Sequence, residues 1–239
     1  MNNNQKCLIV RAGLLEYPKA LKLQEKIFQL KREGKIKEDV AIFLEHPPTI
    51  TIGKKGSLNE ILLDEEKLKQ KGIFLCKTGR GGKVTYHGPG QIVAYPILNL
   101  LNYGKDLHLY LRCLEEVIIK TLRDFDVFAE RKKGLTGAWV EDKKIASIGV
   151  QIKNWTSMHG LAFNINCDLA YFNLIQPCGM EPEVMTSLGC ILKKNIEMQN
   201  VEERLIYHFS KVFSVRIQIL SLDELKKAKF GSQLVIHKP

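Results

Sequence analysis

Residues 80–91 read RGGKVTYHGPGQ, with four glycines, a proline, two cations and a histidine between apolar runs. Glycine loses much backbone entropy on folding, so a cluster of them serves tight turns or a close approach of main chain to ligand. Two familiar phosphate loops do not fit. A Walker A loop needs G-x-x-x-x-G-K-[ST], but Gly82-Lys83 is followed by Val84, and Lys77 stands where the first glycine belongs. Nor does the stretch hold G-x-G-x-x-G. It remains a run of backbone N–H groups beside Arg80 and Lys83, suited to an anionic or carbonyl-bearing ligand, or else a plain cluster of β-turns.

Outward from this stretch, strands outnumber helices. CLIVRAG (7–13), DVAIFLE (39–45), TITIG (49–53) and IFLCKT (73–78) precede it as strands, and QIVAYPILNL (91–100) follows it. Pro18 suits a first helical turn, and Ala20, Leu23, Ile27 and Leu30 recur at helical spacing. A charged helix is expected over 64–71, ended by Gly72, and an amphipathic one carries Leu107, Tyr110, Leu111, Leu114, Val117, Ile118 and Leu122 on one face. Three strands follow, around TGAWVE (136–141), KIASIGVQIK (144–153) and GLAFNINC (160–167), then a loop through PCGMEP (177–182). A helix near 200–213, the strand SVRIQIL (214–220) and a short helix begun by the Ser221–Glu224 capping box end the chain. Strands in neighbouring groups with single helices between them predict an α+β fold of mixed sheets flanked by helices, not a regular doubly wound sheet.

The 239 residues suit one domain over 1–239, long enough to bury a core without metal or disulfide staples. No apolar run reaches the roughly 18 residues of a membrane span. The N-terminal MNNNQKCLIVRAG lacks a signal-peptide core, so a cytoplasmic protein is expected. A net charge of +10 suits an acidic partner, or only a coat of solvated lysines. Its cations do not alternate with aromatics as a base-stacking surface requires, which argues against nucleic acid. His46, His87 and His159 sit next to turn residues and form no metal-binding pair, so no metal is expected; His87 is the best functional candidate of the three because of its neighbours.

Six cysteines show no C-x-x-C spacing and read as reduced thiols. Cys7 and Cys76 fall in strands and Cys113 in a helix, while Cys167 and Cys190 border apolar runs as small buried hydrophobes. Cys178 differs. Between proline and glycine in QPCGM, it belongs to a sharp turn that presents a thiol instead of packing it, and a nucleophilic thiol needs a nearby base or cation. Lys144 is a candidate for that partner. Strict alternation puts it on the face of Ala146, Ile148, Val150 and Ile152, opposite Lys143 and Ser147. There it either snorkels outward or is held at a buried site, where it could accept a proton or stabilise a thiolate.

Together LEHPPTITIG (44–53), RGGKVTYHGPGQIVAYPIL (80–98), TGAWVEDKKIASIGVQIKNWTSMHGLAFNIN (136–166), LIQPCGM (174–180) and TSLG (186–189) resemble the lipoyl(octanoyl) transferase family. The resemblance implies a fold like that of the biotin and lipoate protein ligases without their nucleotide chemistry, hence no ATP and no metal. It implies transfer of octanoyl from octanoyl-acyl carrier protein to a lysine of lipoyl domains. Those acceptors are the lipoyl domains of 2-oxoacid dehydrogenases and the H protein of glycine cleavage. Cys178 matches the acyl-thioester nucleophile and Lys144 the lysine that favours its thiolate. Substrate binding falls to Arg80, Gly81, Gly82, Lys83, Val84, Thr85, Tyr86 and His87, to Ser147, Ile148 and Gly149, and to Gly160, Leu161 and Ala162. An ATP-dependent ligase is the nearest alternative, and it would have no use for the QPCGM cysteine. A binding module without catalysis would explain the charge but leave Cys178 and Lys144 without purpose.

Overall fold

A computed structural model of the chain describes residues 5–176, 181 and 184–227. Cys178, the loop expected through PCGMEP apart from Glu181, and the last residues of the chain lie outside the described residues. Strand β1 (Lys6–Leu14) leads into helix α1 (Tyr17–Arg32), whose Pro18 occupies the first turn, where a missing N–H costs nothing. The apolar run DVAIFLE becomes β2 (Asp39–Glu45), buried on both faces, as an interior strand of a covered sheet must be.

The chain then leaves the main sheet for a small one. Strands β3 (Thr49–Ile52), β4 (Phe74–Lys77) and β5 (Val84–His87) pair in the order β4-β3-β5, with helix α2 (Glu65–Gln70) between the first two. Strand β5 was not anticipated: the second half of the glycine-rich stretch is a buried strand antiparallel to β3, and only residues 78–83 form its loop.

Strand β6 (Gln91–Ile97) returns to the main sheet, and helix α3 (Leu107–Arg123) crosses it. A meander follows: β7 (Glu130–Lys132), β8 (Leu135–Val140), β9 (Lys143–Lys153) and β10 (Thr156–Asn164). After α4 (Leu188–Leu192) and α5 (Met198–Val212), β11 (Arg216–Ser221) and α6 (Leu222–Lys227) end the described chain, with Ser221 and Glu224 bonded reciprocally as a capping box. The main sheet runs β11-β1-β2-β6-β10-β9-β8-β7, parallel where β1 meets β2 and β11 and antiparallel elsewhere. This is the expected α+β arrangement.

Each face of that sheet has its own core. Helices α3 and α5 close one face through residues such as Tyr110, Leu114, Ile118, Leu205 and Phe209, packed on Phe43, Ile92, Leu161 and Phe163. Helix α1 covers the other face with Ala20, Leu23 and Ile27 against Val40, Ile42 and Val93. The small sheet has a third cluster, Ile50, Val84 and Tyr86 with Phe172 and Ile175.

Candidate active site

One defect in the meander decides where a key side chain points. Ala138 pairs with Ala146 and Trp139 with Lys144, so Ile145 is an extra residue bulged out of register. Ile145 and Ala146 consequently both enter the core under α3. The bulge reverses the alternation before it, which corrects the expectation from parity: Lys144 lies on the Ser147 face, opposite Ala146 and Ile148. It does not snorkel, being only 3% exposed. Its ammonium stands 5.5 Å over the Trp139 ring. Gly137, the cross-strand partner of Ser147, leaves room for its stem, since a Cβ there would stand 2.8 Å from Lys144 Cε.

Beyond Lys144 a cleft of about 460 Å³, counting its open mouth, runs between the main and small sheets. Its floor is Ser147, Ile148 and Gly149 of β9 beside Gly160, Leu161 and Ala162 of β10, registered as Ser147–Ala162 and Gly149–Gly160. Its roof is Arg80, Gly81 and Gly82 of the loop with Thr85 and His87 of β5. Tyr17, Tyr95 and His159 complete the lining. The loop rests on β9 through Gly81 N–H donating to Val150 O at 2.9 Å. Gly149 permits that contact, because a Cβ there would stand 2.9 Å from Gly81 O.

Eleven of the fourteen binding residues expected from the sequence thus line one cleft, and Lys83, Val84 and Tyr86 do not. Alternation along β5 explains the last two. Thr85 and His87 face the cleft, so Val84 and Tyr86 face the small sheet's own core, where Tyr86 stacks on Tyr171 at 4.7 Å. Lys83 points away, its ammonium 3.1 Å from Glu60 Oε1. Arg80 is buried, and its guanidinium donates to Thr51 O at 2.6 Å, Thr51 Oγ1 at 2.8 Å and Gly81 O at 3.0 Å. In these bonds it acts as a buttress for the glycine loop.

Of the three histidines, His87 and His159 lie in strands β5 and β10, and His46 directly follows β2 in the connection to β3. They are buried together, His46 and His87 with ring centroids 5.8 Å apart. His46 Nδ1–H donates to Leu15 O at 2.6 Å, which leaves Nε2 to accept from the Tyr95 hydroxyl at 2.7 Å. Burial, the largest cause in each case, pulls their pKa values down, to about 4 for His46, about 3 for His87 and about 4 for His159. For His87 the neighbouring His46 and Arg80 add to it, and for His159 so do Arg80 and Lys54. The cleft is therefore neutral along this wall at neutral pH, fit for an apolar guest.

A chain of hydrogen bonds missed in the sequence ties this wall to Lys144. His87 Nδ1 meets Gln91 Oε1 at 2.8 Å, Gln91 Nε2 donates to Asn164 Oδ1 at 2.8 Å, and Asn164 Nδ2 to Thr186 O at 2.9 Å. Thr186 N–H in turn donates to Lys144 O at 3.0 Å, and Met185 pairs with Lys144 as an isolated bridge. On the other side of Cys178, Gln176 N–H donates to Glu60 O at 2.8 Å. The only signal for this chain was the position of Gln91 at the end of the glycine-rich stretch and of Asn164 in FNIN.

Among the other cysteines, Cys7 and Cys167 are buried, and burial raises both thiols, Cys167 to about 12. Cys190 is exposed, against expectation, because the one-turn helix α4 buries only Leu188. No cluster of three metal-ligating side chains occurs among the described residues, and no described helix is long and apolar enough to cross a membrane.

The chain's similarities agree with this geometry. It is 40% identical over 223 residues to a protein named octanoyltransferase from Desulforamulus reducens, covering 93% of this chain and 97% of that one. A protein of the same name from Caldicellulosiruptor saccharolyticus is 42% identical, covering 90% and 92%. In fold the chain is similar to a lipoate-protein ligase A crystallised with ATP, with a TM-score of 0.76 at 15% identity over 97% of this chain and 92% of that one. A putative lipoate protein ligase from T. acidophilum with bound lipoic acid gives 0.72 at 17% identity, over 96% and 95%. The family model described as the lipoyl protein ligase A/B catalytic domain matches residues 16–210, and with relatives of this closeness the chain belongs to that family, on its octanoyltransferase branch.

Proposed function

We propose that the protein is an octanoyltransferase that takes octanoyl from octanoyl-acyl carrier protein and delivers it to one lysine of a lipoyl domain, through a thioester on Cys178. The observation that carries this reading is the placement of Lys144. Its buried side chain lies on the face of β9 that carries Ser147, where the cleft floor begins, and its own backbone holds Met185 and Thr186, seven and eight residues beyond Cys178.

The chemistry follows from the charges. An ammonium close to a thiol favours the thiolate, which attacks the thioester carbonyl of the donor. The tetrahedral oxyanion collapses with release of the carrier's thiolate, which takes a proton from the Lys144 ammonium and leaves that side chain a neutral amine. The lysine amine of the acceptor then attacks the acyl-cysteine, the Cys178 thiolate departs, and the proton lost by the amine passes to Lys144 or solvent. The donor is already a thioester, so neither ATP nor a metal is required. Burying the octanoyl chain supplies about 0.8 kcal/mol per methylene, roughly 5 kcal/mol in all.

The partners are then octanoyl-acyl carrier protein as donor and the lipoyl domains of 2-oxoacid dehydrogenases and the glycine-cleavage H protein as acceptors. The net charge of +10 suits acidic carriers of this kind. Free-thiol chemistry of this sort belongs in a reducing compartment, hence the cytoplasm. The ligase reading is less favoured, because the ligases resemble this chain in fold at 15–17% identity while relatives at 40–42% are named octanoyltransferase.

Intact mass spectrometry tests the reading. Octanoyl carrier protein alone, without ATP or acceptor, is expected to add one octanoyl mass to the enzyme. The adduct should be labile to neutral hydroxylamine and discharge onto a lipoyl domain. Strict dependence on ATP, with no acyl-enzyme in rapid quench, would overturn it.

A further inference from the structure

His159 combines features that nothing described so far explains. Its backbone has φ of +60°, a left-handed conformation inside a strand. Such strain persists only where surrounding structure enforces it. Here the His159 N–H is held by Gln24 Oε1 at 3.0 Å from the covering helix α1. The side chain is 1% exposed, yet neither Nδ1 nor Nε2 has a hydrogen-bond partner among the described residues. Most buried imidazoles are paired, as His46 and His87 are here. The ring lines the cleft described above and also a second cleft beyond it, bounded by Phe28, Thr78 and Gln151, so it forms part of the partition between them.

Its place along the sheet gives these features a use. Lys144 lies before Ser147 on β9, whereas His159 is registered with Val150, beyond the Gly149–Gly160 pair. Ser147 to Val150 is three residues, about 10 Å of strand. An extended eight-carbon chain is roughly 9 Å long. A guest whose carbonyl sits beside Ser147, the lining residue of β9 nearest Lys144, therefore brings its last carbon to the imidazole.

We infer that His159 is the specificity-determining end of the acyl cleft, a buried imidazole that favours a polar atom or a water at the position just beyond the eighth carbon. An eight-carbon tail stops short and leaves the ring nitrogens solvated. A ninth methyl strips them of water with nothing in return, which is the costly way to bury a polar group. A hydroxyl in that position hydrogen-bonds to the ring and escapes the penalty.

The direction of the guest rests on the proposed transfer, but the test needs no chemistry. Nonanoate and 8-hydroxyoctanoate have the same length and differ at one terminal atom. Calorimetric titration of the full chain is expected to show the hydroxy acid binding at least as tightly as nonanoate. In an ordinary apolar pocket the order reverses by about tenfold or more. His159→Leu should bring that reversal. His159→Asn, which keeps a polar group and tolerates the left-handed backbone, should change the ratio less than leucine does. If His159→Leu does not fold, the wild-type pair decides alone. Nonanoate winning by about tenfold or more in the wild type, or no binding of either acid, overturns the inference. Loading from octanoyl carrier protein is read in parallel. Its absence beside a retained preference for the hydroxy acid would count against the transferase reading and leave the role of His159 standing.

Discussion

The two faces of the main sheet are covered by helices of similar length and do different work. Under α3 and α5 the core is continuous and apolar, from Phe43 through Phe163 to Phe213. Under α1 the apolar core of Leu23, Ile27 and Ile42 gives way to Tyr17, His46, His87, Tyr95 and His159 packed ring to ring. The first face mostly maximises burial, and the buried Glu115 of α3 is matched there by Arg112, Arg131 and the Gly137 N–H. The second accepts buried polar groups, each of which must find a partner or a guest, and this is where a cleft remains. Stability is concentrated on one side and recognition on the other.

The sharpest separation of the two comes from Cys178→Ala. It is expected to abolish acyl loading from octanoyl carrier protein while leaving the thermal midpoint unchanged; near-normal loading would remove Cys178 as the nucleophile. The converse is Phe163→Ala on the closed face, buried and central, which should cost about 3–5 kcal/mol in urea unfolding. The fraction that stays folded should still load.

Acid separates the faces by pH. The three histidines are held below their unfolded value near 6.5, at about 3 to 4. Between those values the unfolded chain binds more protons than the folded one, so their stabilising share is complete above pH 6.5 and is lost as pH falls through the window. The slope is up to ~1.4 kcal/mol per pH unit for each. Urea midpoints from pH 7.5 down to 4.5 measure it, and His159→Asn should remove one histidine's share. A flat profile over this range would mean that the wall is already charged or open to water. The smallest effect concerns Lys144. Lys144→Met is expected to raise the apparent pKa for iodoacetamide labelling of Cys178 by about one unit, equivalent to ~1.4 kcal/mol. An unchanged profile would place the lysine outside the site.

Most of the strands and helices were legible in hydrophobic periodicity, because a helix face or a strand in a covered sheet leaves a local trace. Strand β5 was not, since the glycines around VTYH masked four residues whose pairing partner, β3, is more than thirty residues away. The face of Lys144 was misread for a different reason: period-two alternation holds only while the register does, and the Ile145 bulge exists only against β8. The cleft lining was legible as segments, since the glycine loop, SIG and GLA each carry residues with little side chain. The neutral histidine wall was not. His46, His87 and His159 come from distant parts of the chain, and only the fold makes them neighbours.

The pairing of β1 with β11 has a consequence for how this chain comes into being. Lys6 is registered with Arg216, about 210 residues later, so β1 completes its pairing only with a strand made long after it. During synthesis the edge of β1 waits with its hydrogen-bonding groups open until β11 emerges, a state prone to pairing with other chains. Closing so long a loop places this contact late in folding. A ribosome-bound chain truncated before Arg216 should accordingly depend on chaperones in a way that the finished chain does not.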